Sequence, residues 1–289
     1  MDAERRPSLA KFNETGGRSV SDDQLAKMVT YFQRHTVPVF LLLERRGELR
    51  PHVFTTFVAS VRGIWILVTA GHCITGVEDA IGEGYIIKQA RLLDSAGPDA
   101  TYREPVPFDY EGSQPIAPFD DDKFDCGFLR LSSIDRAALT ANGVIPINED
   151  AWEKQCVGPE IFAATGFLQE ISAIEPTKYR LSMVLLPIGA LQDRPSQFEE
   201  TNAPRWYGQV SPHAAGSLVG MSGGPVLAFR QGEAGTVRYW LHGIQSAQAP
   251  RFPRDPYIAV CLATPMLSLI AAQIDRQVTE DRRAEDLTG

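Results

Sequence analysis

Short apolar runs rich in Val, Ile, Phe and Thr recur along the chain at residues 37–43, 53–61, 64–69, 128–131, 161–165, 179–186, 225–229, 237–244 and 257–262. Gly, Pro, Asn and Asp separate them. Runs of this length and composition, punctuated by turn formers, predict an all-β chain built from antiparallel barrels or sandwiches. Helical spacing is confined to the two ends. Ser21-Asp22-Asp23-Gln24 has the form of a capping box ahead of Leu25, Met28, Val29 and Phe32, which predicts a helix ending near His35, before Pro38. Thr264-Pro265 followed by Met266, Leu267, Leu269, Ile270 and Ile274 predicts an N-cap, a proline in the first turn and an amphipathic helix.

The stretch 94–122, rich in Pro, Gly and Asp, reads as long loop with at most one strand, and the composition changes again over 142–152. The expected organisation is therefore a polar segment and helix over 1–36, a first unit over 37–150, a second over 151–275, and a mobile charged tail over 276–289. With 289 residues, and roughly 100–200 residues per domain, one large domain or two small packed units fit equally well.

Composition and charge narrow the functional classes. The chain is 44% hydrophobic and 22% charged, with 24 Gly and 20 Pro, which excludes coiled-coil and low-complexity readings. A formal net charge of −8 supplies no basic field for phosphates, so no nucleic-acid partner is expected. No apolar run approaches the 18 or so residues of a membrane span, and the polar start lacks the apolar core of a secretory signal, so a cytoplasmic location is expected. Cys73, Cys126, Cys156 and Cys261 are far apart with no CxxC pair, which reads as buried free thiols in a reducing compartment. No metal or other cofactor is expected. His35, His52 and His242 read as structural.

Three segments carry the groups needed for nucleophilic chemistry: Thr69-Ala70-Gly71-His72-Cys73, Asp125-Cys126-Gly127-Phe128-Leu129-Arg130-Leu131, and Gly220-Met221-Ser222-Gly223-Gly224-Pro225. A serine hydroxyl attacks only with a base beside it, and the base needs an acid that fixes its tautomer and stabilises its charged form. Gly220-x-Ser222-x-Gly224 also satisfies a G-x-S-x-G nucleophile elbow, but that arrangement needs an acid and then a histidine after the serine, followed at once by a helix. Only Glu233 and His242 follow in the right order, and Gly223-Gly224-Pro225 leads into a strand-like run, so the elbow fails.

In the order His72, Asp125, Ser222, the three blocks resemble those of the chymotrypsin-like (trypsin-like) serine peptidases, and the resemblance extends over about residues 37–274. The stretch 158–167 is similar to the strand that opens the second barrel of that family, and 241–246 to the strand beside its specificity pocket. The resemblance implies two packed antiparallel β-barrels with short terminal helices, a Ser-His-Asp triad, and an oxyanion hole formed by the Gly220 and Ser222 N–H groups. It also implies that Ser246 supports Asp125, that Ser246, Ala247 and Gln248 pair with an extended peptide or protein substrate, and that Gly216 lies at the pocket floor.

The chain departs from that family in several places. The usual disulfide partner of Cys73 falls on Phe57, and a second usual cysteine falls on Leu218, which again suits a reducing compartment and a bacterial-type intracellular member. Met221 replaces the aspartate that pairs with a cleavage-generated amine, so the expectation is an oxyanion hole that is formed constitutively or shaped by a partner. Gly216 supplies no acid to select Arg or Lys, and Gln248 occupies a position usually kept small, so a narrow pocket for small or apolar residues is expected. A regulatory protein partner is expected at the N-terminal helix. A scaffold that keeps the fold without turnover, and an esterase using the same triad, are the alternatives.

Overall fold

The computed structural model describes residues 22–94, 105–113, 115–116, 124–152, 161–175, 179–211, 215–231 and 237–288. Helix α1 (Asp22–Gln33) precedes strands β1 (Val39–Arg45), β2 (Glu48–Phe54), β3 (Phe57–Val61) and β4 (Ile64–Thr69), helix α2 (Gly71–Gly82), and strands β5 (Ile86–Leu92), β6 (Val106–Pro107) and β7 (Gly127–Arg130). Helix α3 (Ser133–Ala141) and strand β8 (Ile147–Asn148) close the first half. The second half contains β9 (Ile161–Phe167), β10 (Ala173–Ile174), β11 (Tyr179–Arg180), β12 (Met183–Ala190), β13 (Arg205–Val210), β14 (Pro225–Gln231), β15 (Val237–Gln248), β16 (Tyr257–Leu262) and helix α4 (Ala263–Thr288).

The fold is all-β with few helices. The first half forms two four-stranded sheets, ordered β2-β1-β5-β6 and β7-β4-β3-β8, and the second forms a closed six-stranded barrel ordered β12-β13-β16-β15-β14-β9. Between the first two sheets, Leu41, Val58, Leu67, Leu92 and Leu129 share one core with α2 and α3. Strand β1 is apolar without alternation because both its faces are covered. Val39, Leu41 and Leu43 point into that core, whereas Phe40 and Leu42 pack against Ile174 and Leu181 of the second half. Inside the closed barrel, Phe162, Ala164, Val184, Leu186, Val226 and Val260 form a separate core.

A third cluster lies across the seam. It gathers Phe32 of α1, Phe57, Ile66 and Phe128 of the first half, Leu227, Phe229 and Leu241 of the barrel, and Met266, Leu267, Ile270 and Ile274 of α4. The two terminal helices thus close the bottom of the molecule, α1 through Phe32 stacked edge-on to Phe229 and Tyr239 at centroid distances of 5.1 and 4.9 Å.

Several elements went unread in the sequence, the two-residue strands β8 and β10 among them. Helix α2 buries Ile74, Val77 and Ala80 at helical spacing, but Gly76 and its β-branched residues lower its propensity. Helix α3 opens on a reciprocal capping box, with the Ser132 side chain accepting from the Asp135 N–H and the Asp135 carboxylate accepting from the Ser132 N–H. Strands β5 and β13, which contain charged residues and a glycine, carry weak apolar signals. The run 53–61 is not one strand but two, parted at Thr55-Thr56, where the Val37 N–H donates to the Thr56 carbonyl at 2.9 Å. Residues 276–288, read as a charged tail, continue α4 as helix. None of the helices is long and apolar enough to cross a membrane among the described residues.

Candidate active site

Strand β4 ends at Thr69, and the chain turns at once into α2, placing His72 in that helix's first turn. A helix start leaves backbone N–H groups without intrahelical acceptors. Ala70, at the cap, offers no side-chain acceptor. Asp125, just ahead of β7, fills the gap: its Oδ1 accepts from the His72 backbone N–H at 2.9 Å, while Oδ2 accepts from His72 Nδ1–H at 2.8 Å. Pairing of β7 with β4, Thr69 opposite Gly127, brings the two residues into register. One carboxylate therefore fixes both the position and the tautomer of the ring, so that Nε2 is the proton acceptor whenever the ring is neutral.

The electrostatics follow from that contact. The hydrogen bond that His72 donates to Asp125, helped by the neighbouring Cys73, raises His72 from 6.5 to about 10 against the opposing cost of burial. Behind Asp125 lie two buried thiols. Cys261 Sγ donates to the Asp125 carbonyl at 3.7 Å, and burial pushes the Cys126 thiol up to about 12. Both thiols stay protonated, inert packing groups. Cys73, Cys126 and Cys261 are free and buried, and Cys156 lies outside the described residues.

Ser222 sits half-buried in the turn ahead of β14. The turn is drawn against the first half: Cys73 Sγ approaches the Ser222 carbonyl at 3.8 Å, and a Cβ added at Gly223 would collide with the Thr55 carbonyl and Thr69 Oγ1. With a φ of +86° at the same residue, only glycine fits this close approach. No hydrogen bond joins His72 Nε2 to Ser222 Oγ in this structure; such contacts commonly tighten only when substrate is bound.

On the other side of Ser222, Gly220 has a φ of +98°. The Val219 carbonyl accepts from the Gln169 N–H at 2.9 Å, and in a trans peptide the Gly220 N–H must point the opposite way. Among the described residues neither the Gly220 nor the Ser222 N–H has a protein acceptor, so both donors remain open. Met221, between them, is buried in the barrel core, where an aspartate would be uncompensated.

The remaining sequence-selected residues cluster nearby. Past Ile244, β14 no longer pairs with β15; Ala247 and Gln248 pair only with β16, Ser246 lies at the register shift just before them, and among the described residues this stretch presents an open edge to an incoming strand. Ser246 Oγ donates to the Ala259 carbonyl at 3.3 Å, and Cys261 Sγ donates to the Asp125 backbone carbonyl, not to its carboxylate. Gln248 reaches back across the cleft, its Oε1 accepting from the Leu218 N–H at 2.9 Å. Gly216 carries no carboxylate itself, but Glu170, in a short 3-10 turn after β9, delivers one: its Oε1 accepts from the Gly216 N–H at 2.9 Å. Sequence reasoning missed Thr55, Gln169 and Glu170, for which no local motif exists.

No family model and no curated protein matches the chain. Solved structures with a similar course include the scabies mite inactivated protease paralogue S-I1, at 17% identity and a TM-score of 0.48 over 86% of this chain and 96% of that one. The protease Anisep from Arthrobacter nicotinovorans aligns at 14% identity and a TM-score of 0.42 over 79% and 90% of the two chains. A thermostable serine protease AL20 from an extremophilic microorganism aligns at 12% identity and a TM-score of 0.41 over 80% and 91%. At such identities the chemistry has to come from this chain's own residues.

Proposed function

We propose that this chain is a serine endopeptidase that cleaves peptide bonds through an acyl-enzyme intermediate, with Ser222 as nucleophile, His72 as general base and acid, and Asp125 as the group that orients His72. The two-point grip of Asp125 on His72 carries the reading. Ser222 Oγ attacks the carbonyl while His72 Nε2 takes its proton, and the charged imidazolium is stabilised by Asp125. The open Gly220 and Ser222 N–H groups face the developing oxyanion, a contribution of about 3 kcal/mol per donor in comparable sites. Proton return from His72 to the leaving amine frees the first product, and water repeats the sequence on the ester. The open edge at 246–248 supports a peptide, which can add as a strand, over a simple ester.

Three free, buried thiols support assignment to a reducing compartment. A fold kept without turnover is the second reading, favoured by the absent His72–Ser222 hydrogen bond and by Gln248 lying across the cleft. Fluorophosphonate labelling of the wild type and of Ser222→Ala decides between them. Labelling lost only in the variant, together with turnover of peptides in a substrate library, is the expected result. An unlabelled wild type would remove the enzyme reading, and turnover of esters without peptides would replace it with an esterase.

A further inference from the structure

We infer that Thr55, in the two-residue link between β2 and β3, is a positioning residue for the oxyanion hole; this rests on the serine-enzyme reading above. Its side chain is fully buried. Oγ1 donates to the Gly220 carbonyl at 2.6 Å and accepts from the Phe167 N–H at 3.2 Å, using its hydrogen and a lone pair at once. Its own carbonyl accepts from Thr69 Oγ1 at 2.8 Å and is among the atoms that a Cβ at Gly223 would strike. Thr55 therefore touches the nucleophile turn on both sides of Ser222.

The geometry explains why such a contact matters. A glycine with positive φ has little steric reason to hold one peptide orientation. The peptide before Gly220 is held by Gln169 N–H on the Val219 carbonyl, and the peptide after it by Thr55 on the Gly220 carbonyl. With both neighbours fixed, the Gly220 N–H direction is set before substrate arrives. Thr55 belongs to the first half and Gly220 to the second, so the hole is completed across the seam and needs no charged amine at Met221. Substitution by valine preserves shape but removes the donor and the acceptor together.

The test compares wild type, Thr55→Val and Thr55→Ser by the kinetics of inactivation with a fluorophosphonate, whose phosphoryl oxygen enters the hole in the transition state. In Thr55→Val the limiting inactivation rate constant per folded molecule is expected to fall at least tenfold, with the half-saturating probe concentration changed less than threefold. Thr55→Ser should restore the rate to within threefold. The pH dependence should be unchanged in both, because His72 and Asp125 are untouched. If the valine variant does not fold, Thr55→Ala at low temperature replaces it with the same expectation. A folded Thr55→Val or Thr55→Ala that reacts within twofold of wild type, or a serine variant that fails to rescue, overturns the inference while leaving the enzyme reading intact. A wild type that never reacts overturns both.

Discussion

Replacing Asp125 by asparagine separates the two things its carboxylate does to His72. In the wild type, one oxygen holds the ring at 2.8 Å and the other holds the backbone N–H at 2.9 Å, and the pair raises the ring from 6.5 to about 10. Only the neutral imidazole accepts the Ser222 proton. The reaction rate should therefore climb with pH along a limb lying alkaline of 6.5. Because the ring is 50% exposed, solvent screens the pair, and the limb is expected at least about one unit above that value rather than at the full displacement. Asparagine keeps the shape and loses the charge, so the limb should return to within about half a unit of an ordinary histidine. It can also offer an N–H to Nδ1, which forces the proton onto Nε2, and the plateau should drop by about 10⁴-fold, as such a tautomer error does elsewhere. Folding moves in the complementary sense. A raised folded-state pKa gives stability that is complete below 6.5 and lost as the pH climbs through about 10, and this dependence disappears in the variant. Fluorophosphonate inactivation between about pH 5 and pH 10, with the His72 ring followed by NMR, measures both. A wild-type limb at 6.5 that Asp125→Asn leaves in place, or a plateau loss under tenfold, would refute the reasoning.

Gln248→Gly should open the cleft that its side chain spans to reach Leu218. Burial of a large apolar side chain contributes about 1.5–3 kcal/mol, so cleavage after Phe or Leu should gain about 10- to 100-fold over cleavage after Ala; a substrate-library profile identical to wild type would show that Gln248 does not restrict the pocket. A second substitution concerns acid stability. His35 is buried, its Nδ1–H donating to the Ile145 carbonyl at 2.7 Å with Tyr239 OH 3.0 Å from Nε2, and burial lowers its pKa. Its depressed folded-state pKa means that stability is kept above 6.5 and lost as the pH falls below it, by at most about 1.4 kcal/mol per pH unit for one proton. His35→Gln should be less stable at pH 8 yet lose less between pH 7 and pH 5 in urea titrations. Equal slopes for the two proteins would assign the acid sensitivity elsewhere, His52 being lowered by burial as well.

What the sequence disclosed and what it hid follow a physical line. His72, Asp125 and Ser222 lie in blocks whose signal is local: a strand exit, a strand entry and a glycine-rich turn. Strands β4, β7, β14 and β16 were legible for the same reason, since each is a short apolar run between turn formers. Helix α2 was not, because its buried positions Ile74, Val77 and Ala80 are spaced among glycines and polar residues that mask a helical period. The contacts that shape the site lie beyond any local signal. Thr55 lies 165 residues from the carbonyl it holds, and Glu170 lies 46 residues from the Gly216 N–H it binds. Gln248 could be placed at the cleft from its neighbours, but its hydrogen bond to Leu218 depends on where a separate loop stops. Ser246 shows the reverse case, a residue placed from its neighbours whose side-chain bond goes to the Ala259 carbonyl.

The cluster that joins α1, both halves and α4 also bears on how the molecule assembles. Phe32 finds Phe229, and Ile66 shares its core with Ile274, so the contacts that close the structure connect positions about two hundred residues apart. Chains dominated by such distant pairings pay loop-closure entropy before their contacts are rewarded, and fold slowly. The first half cannot finish its core until α4 is present, and Gly220 cannot meet Thr55 until the halves have docked. A ribosome-bound chain that has emerged only through β9 would hold a paired His72 and Asp125 but no serine and no hole. If the chain works as proposed, reactivity arrives only once the two halves and α4 have come together, a timing that follows from the topology.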